Sequence, residues 1–142
     1  LAEENGVSLR LEGAGQVTGD RLMLRRAIGN LLSNALRYTP SGGRIVVTVS
    51  VVRDSPDAEA VHLSVENTGE PIPSEHLSRL FDRFYRVDAS RRHSGDGAGL
   101  GLAITRSILR SHGGDIEGRT GKGCNIFEMW IPTSIVTPRS AD

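Results

Sequence analysis

Between Asp20 and Pro40 the apolar residues recur at steps of three and four, and on either side of that segment they recur at steps of two, so one short chain must combine a helix with flanking strands. Leu22, Leu24, Ala27, Ile28, Leu31, Leu32, Ala35 and Leu36 mark one helical face. Asp20 is placed to cap its start, and Thr39-Pro40-Ser41-Gly42-Gly43 ends it. Before the helix, Val7, Leu9 and Leu11 alternate with polar neighbours as a strand, Glu12-Gly13-Ala14-Gly15 turns, and Val17 is expected to begin a second, very short strand. After it, Ile45, Val46, Val47, Val49, Val51 and Val52, then Val61, Leu63 and Val65, predict an antiparallel hairpin with Asp54 to Glu59 as its polar connection. A short helix is expected from Ser74 through Leu80, and a polar, mobile loop from Asp88 to Gly97. A helix then carries Leu100, Leu102, Ala103, Ile104, Ile108 and Leu109 up to Gly113-Gly114, and Ile116 and Ile126 to Ile131 read as closing strands.

This order lacks the strict alternation of a doubly wound parallel sheet. It predicts an α+β fold: a two-layer α/β sandwich with a mixed, mostly antiparallel sheet and helices on one face. With 142 residues, 37% of them hydrophobic, the chain suits a single domain. Its 17 basic side chains balance 17 acidic ones, so no global positive field exists for nucleic acid or an anionic membrane, and any anion site must be local. One cysteine excludes an intrachain disulfide and fits a reducing compartment such as the cytoplasm. No run approaches the roughly 18 to 20 apolar residues of a membrane span. The opening Leu1 and the polar stretch after it read as the interior of a longer protein.

Asn30 and Asn34 share a helical face beside apolar neighbours. Either both amides satisfy core-side backbone, or, with Arg37 and Tyr38 within a turn, they belong to a metal-nucleotide site, where an Asn oxygen is a hard ligand for Mg²⁺. Val65 to Pro73 leaves a strand and turns at Gly69, as a pocket wall or simply as a strand end. Gly95, Gly97, Gly99 and Gly101 alternate just ahead of an apolar helix, which exposes successive N–H groups suited to phosphate; a flexible linker is the alternative. The dinucleotide fingerprint fails, because its third glycine would fall on Leu100 or Leu102, and a P-loop is absent. Phe81-Asp82-Arg83-Phe84-Tyr85-Arg86 is either the anchor of a lid or a packing cluster. His62, His76, His93 and His112 lack metal spacing, and His76 and His112 are expected as exposed helix residues.

In this order the elements resemble the ATP-binding catalytic domain of bacterial sensor histidine kinases, within the gyrase, chaperone, kinase and mismatch-repair ATPase superfamily. The resemblance covers nearly all of residues 1–133. Asn30 to Thr39 matches the N box, Leu80 to Arg86 the F box, and Gly95 to Leu102 the second glycine box. The wording around Leu24 to Pro40 and Phe81 to Asp88 is most similar to the copper and silver class of heavy-metal sensor kinases.

The resemblance implies a Bergerat-type fold over 1–133, with an ATP lid at about 82–98 and a flexible tail at 134–142. It implies ATP and Mg²⁺ as ligands. Asn34 would ligate Mg²⁺, Asn30 would help hold the phosphates, Arg37 would neutralise them and Tyr38 would flank the nucleotide. Asn67, Gly69, Ile72, Gly97, Gly99, Leu100, Gly101 and Leu102 would complete the nucleotide site, with Arg91 or Arg92 of the lid reaching the γ-phosphate. Hydrolysing relatives carry Glu where Asn30 stands, and an amide cannot take a proton from water, so phosphoryl transfer is favoured over hydrolysis. The acceptor histidine would lie on separate dimerisation helices absent from these residues, in a homodimeric inner-membrane sensor that signals to a response regulator. This domain would be cytoplasmic, without contact to membrane or nucleic acid. Three departures stand out: Asn67 and Pro71 replace the Asp and second Gly of the first glycine box, and Gly123-Cys124-Asn125-Ile126-Phe127 fits the last box loosely. A serine-directed anti-sigma-type kinase, or a degenerate module that binds without catalysis, are the alternatives.

Overall fold

The computed structural model describes residues 6–55, 58–77, 79–82 and 101–133. Its elements run β1 (Ser8–Gly13), α1 (Arg21–Tyr38), β2 (Arg44–Ser55), β3 (Ala58–Thr68), α2 (Ser74–Leu77), α3 (Gly101–Ser111), β4 (Asp115–Gly121) and β5 (Cys124–Pro132). The strands form one sheet in the order β1-β2-β3-β5-β4. β1 lies parallel to β2 because α1 carries the chain back between them, and the other three pairings are antiparallel. The mixed, mostly antiparallel two-layer sandwich expected from the pattern is therefore the fold.

Paired residues point to the same side of a sheet, so the register identifies its buried face. Ile45 and Val47 of β2, Val65 of β3, Ile116 of β4 and Phe127, Met129 and Ile131 of β5 form one core with Leu31 and Ala35 of α1 and Leu109 of α3. Burying each such Leu or Ile side chain contributes roughly 1.5–3 kcal/mol. The opposite face is polar or half-exposed: His62 stacks on Trp130 with ring centroids 6.2 Å apart, and Arg119 meets Glu128 at 3.5 Å. Both long helices pack on the first face and against each other. Among the described residues no helix is long and apolar enough to cross a membrane.

Asp20 caps α1 as expected, accepting from the Met23 N–H at 3.0 Å. Four local expectations are corrected. Val17 forms no strand, since Thr18 N–H to the Thr133 carbonyl is the one backbone bond in that stretch among the described residues. The short helix stops at Leu77, because i→i+3 bonds at Arg79 and Asp82 tighten the chain into turns that deliver Leu80 and Phe81 to the core. The connection predicted from Asp54 to Glu59 is shorter: β2 and β3 continue until Ser55 pairs with Ala58, with the Arg53–Glu59 ion pair at 2.6 Å across it. His76 is half-buried in α2, and His112 is half-buried just past α3. The His112 Nε2 accepts from the Asp20 N–H at 3.0 Å while Nδ1 meets the Ile108 carbonyl at 2.8 Å, which ties the end of α3 to the start of α1. The lid expected at 82–98 lies, apart from Asp82, outside the described residues, as does the tail at 134–142.

Asp115 closes α3 onto β4. Its carboxylate accepts from Arg106 Nε at 3.0 Å, Arg110 Nε at 3.2 Å and its neighbour Ile116 N–H at 2.8 Å. Partial burial pushes its pKa up, but the Ile116 N–H and the two guanidinium groups outweigh that and hold it below the ordinary carboxylate value. A depressed folded pKa means a contribution present above the unfolded value and lost as pH falls through the folded one. Asp115→Asn should therefore cost about 1 kcal/mol at pH 7, with the difference from wild type shrinking as pH falls below the ordinary carboxylate pKa, as thermal melts across that range would show. Gly29 lies exposed in the interior of α1 with open space where a Cβ would project, so Gly29→Ala should raise stability by about 0.5–1 kcal/mol in the same melts.

Candidate functional site

The buried faces of β3 and β5 each end in an asparagine. The register sets Val65 opposite Phe127 and Asn67 opposite Asn125, so both amides sit where the apolar layer gives way to the C-terminal end of α1. A cavity of about 510 Å³ opens there, with Asn34, Arg37 and Tyr38 of α1 on one side, the Glu70–Pro73 loop on another, and Asn67, Asn125 and Phe127 at its base. Thr39 and Pro40 complete the wall, and the Thr39 hydroxyl donates to the Ala35 carbonyl at 2.6 Å to close the helix.

Asn67 is 2% exposed, and its Nδ2 donates to the Thr68 carbonyl at 3.1 Å. Among the described residues nothing donates to its Oδ1, and no fully buried side-chain oxygen is left without a partner, so this acceptor keeps its access at the cavity. A single acceptor beside Ile72 and Phe127 suits a flat apolar ring with an exocyclic amine. At the α1 side, neither the Asn34 amide nor the Arg37 guanidinium has a partner among the described residues, and both line the cavity. A free cation and a hard amide oxygen one turn apart suit an anionic, metal-bound group.

The structure thus brings Asn34, Arg37, Tyr38, Asn67 and Ile72 together around one cavity. Asn30 stands one turn back on α1 and is not part of the lining; its Nδ2 donates to the Gly101 carbonyl at 3.4 Å. Of the paired amides, Asn30 thus meets backbone across the two helices and Asn34 lines the cavity. Gly101 starts α3, and its carbonyl also accepts from the Thr105 hydroxyl at 2.9 Å. Leu102 packs against the core. Gly69 abuts the cavity: its N–H donates to the Gly123 carbonyl at 3.0 Å. Arg91, Arg92, Gly97, Gly99 and Leu100 lie outside the described residues.

Sequence reasoning missed Asn125, whose side chain holds three hydrogen bonds at the cavity's base. The signal was present in the alternation, since Asn125 occupies the phase of Phe127, Met129 and Ile131. It also missed Arg106, which stacks over the Phe81 ring at 4.2 Å while Phe81 meets Phe127 edge-on, so the chain at Phe81 is anchored to α3 and β5.

This arrangement is that of an ATPase domain. The chain belongs to the histidine kinase-, DNA gyrase B- and HSP90-like ATPase family, whose profile matches residues 19–135. Sensor histidine kinase CusS of Escherichia coli K12 is 57% identical over 133 residues, 93% of this chain and 27% of that protein. The probable sensor kinase SilS of Salmonella typhimurium is 51% identical over 116 residues, 82% of this chain and 22% of that protein. The chain thus spans about a quarter of the length of the curated relatives it matches. Among solved structures, mycobacterial sensor histidine kinase MprB superposes with a TM-score of 0.78 at 27% identity, over 95% of this chain and 90% of that one. Full-length ShkA in complex with AMPPNP gives 0.72 at 26% identity, over 96% and 27%. Histidine kinase ThkA in complex with response regulator TrrA gives 0.71 at 27% identity, over 97% and 36%.

A Cβ at Gly69 would come within 3.1 Å of the Tyr38 carbonyl and 3.4 Å of Asn67 Nδ2, so α1, β3 and the loop meet there without room for a side chain. Gly69→Ala should cost about 1 kcal/mol by thermal melt and shift the Asn67 side-chain amide resonances more than those of Asn30.

Proposed function

We propose that residues 1–133 form the ATP-binding catalytic domain of a sensor histidine kinase, with 134–142 as its tail. The domain would transfer the γ-phosphoryl group of Mg-ATP to a histidine on the dimerisation helices of the same polypeptide, for relay to a response regulator. The observation that carries this reading is the free Oδ1 of buried Asn67 at the cavity base, where an adenine amino group would donate. The AMPPNP complex of the similar ShkA and the response-regulator complex of the similar ThkA support the nucleotide and the relay.

Asn67 and Ile72 would hold the base, Tyr38 would flank the nucleotide and Arg37 would neutralise phosphate charge, with Gly69, Gly97, Gly99, Leu100, Gly101 and Leu102 shaping the rest of the site and Arg91 or Arg92 meeting the γ-phosphate. The donor set fits Mg²⁺: Asn34 offers one hard oxygen at the cavity, and Mg²⁺ completes octahedral sites with water and phosphate oxygens. When bound there, Mg²⁺ would neutralise charge on the transferring phosphoryl group. Asn30 supplies no base, its amide being committed as a donor to Gly101, which suits transfer to a protein nucleophile better than hydrolysis. The whole protein would be a homodimer in the inner membrane with this domain in the cytoplasm, and the heavy-metal signal would be received by segments outside it.

Calorimetric titration with a non-hydrolysable ATP analogue tests the reading. Saturable, Mg²⁺-dependent binding that a GTP analogue does not reproduce is expected. Asn34→Ala should lose most of the Mg²⁺-dependent gain and Asn67→Ala about tenfold in affinity. A folded wild-type chain that binds no nucleotide would overturn it.

A further inference from the structure

We infer that Asn125 is a positioning residue that sets base selectivity in this cavity, an inference that rests on the nucleotide reading above. Asn125 is 4% exposed, and its side chain is committed to protein groups on two sides. Oδ1 accepts from the Ile72 N–H at 3.2 Å and from the Thr120 hydroxyl at 2.8 Å, while Nδ2 donates to the Glu70 carbonyl at 2.9 Å. Thr120 belongs to β4, so a neighbouring strand fixes which way the amide points. Glu70 and Ile72 belong to the loop that follows Asn67 out of β3.

Apart from Ile72, which packs against the core, that loop has few other anchors. Pro71 and Pro73 carry no N–H, and among the described residues the two bonds to Asn125 are the only hydrogen bonds made by Glu70, Pro71 and Ile72. Asn125 is also the direct cross-strand partner of Asn67. One buried amide therefore fixes the distance between the base-reading acceptor of Asn67 and the loop wall on the other side of the base. A 6-aminopurine donates to Asn67 Oδ1, whereas a 6-oxopurine brings an oxygen against it. This repulsion discriminates only while the wall prevents the base from sliding away. The lever is selectivity, which distinguishes positioning from plain support of the fold.

Titration of the 142-residue chain with Mg-ADP and Mg-IDP reads this out, with thermal melts in parallel. Asn125→Ala should weaken ADP about tenfold and IDP much less, so that the ADP:IDP preference falls about fivefold. Asn125→Asp keeps the shape and the acceptor but turns an oxygen toward the Glu70 carbonyl; it should fall between wild type and Asn125→Ala, and it carries the test if the alanine variant does not fold. Asp115→Asn, which costs stability far from the cavity, should leave the preference within about twofold. An unchanged preference in the Asn125 variants, beside an adenine-selective wild type, overturns the inference and leaves the nucleotide reading intact. A wild type that binds ADP and IDP equally also overturns it, and a wild type that binds neither overturns both.

Discussion

The antiparallel register of β3 against β5 is the constraint on which the rest of the molecule depends. These strands lie inside a sheet that is buried on one face only, so a slip of one residue between them would turn one set toward solvent, either Val61, Leu63 and Val65 or Phe127, Met129 and Ile131. The same phase that buries those six side chains buries Asn67 and Asn125. The hydrophobic effect therefore pins two amides that it would not itself select. Their cost is limited because one is bonded on both its polar atoms and the other keeps its acceptor open at a cavity.

Much of the fold was legible because its signals are periodic. The helix from Asp20, the β2–β3 hairpin, the late helix and the two closing strands all follow from steps of two or of three and four. The misses have a common physical origin. The end of α2 at Leu77, the length of the β2–β3 ladder and the fate of Val17 are decided by which backbone partners the finished sheet and turns supply. His112 was read as exposed because its role depends on a backbone N–H 92 residues earlier in the chain, at Asp20, which no local pattern contains.

The candidate site was legible in a similar, uneven way. Asn34, Arg37 and Tyr38 stand out because helical spacing places them on adjoining turns, whereas Asn67 stands out only through the resemblance of its segment to the first glycine box. Asn125 did not stand out, since its importance comes from strand pairing. Yet an asparagine in the buried phase of an otherwise apolar strand is an anomaly in binary patterning. Two such anomalies, one in each of two strands, meet in the structure at a single place.

The position of Asn30 joins the fold to the chemistry. Its amide donates to the carbonyl of Gly101, the residue at which α3 begins, and Thr105 of the next turn donates to the same oxygen. A carboxylate at position 30 has no donor to offer, and its negative charge would face that carbonyl instead. α1 and α3 would lose one of the polar links that align them. The amide is thus the group that can approach α3 here. An amide at position 30 therefore serves the packing of α1 against α3 in a way that a carboxylate of the same shape could not.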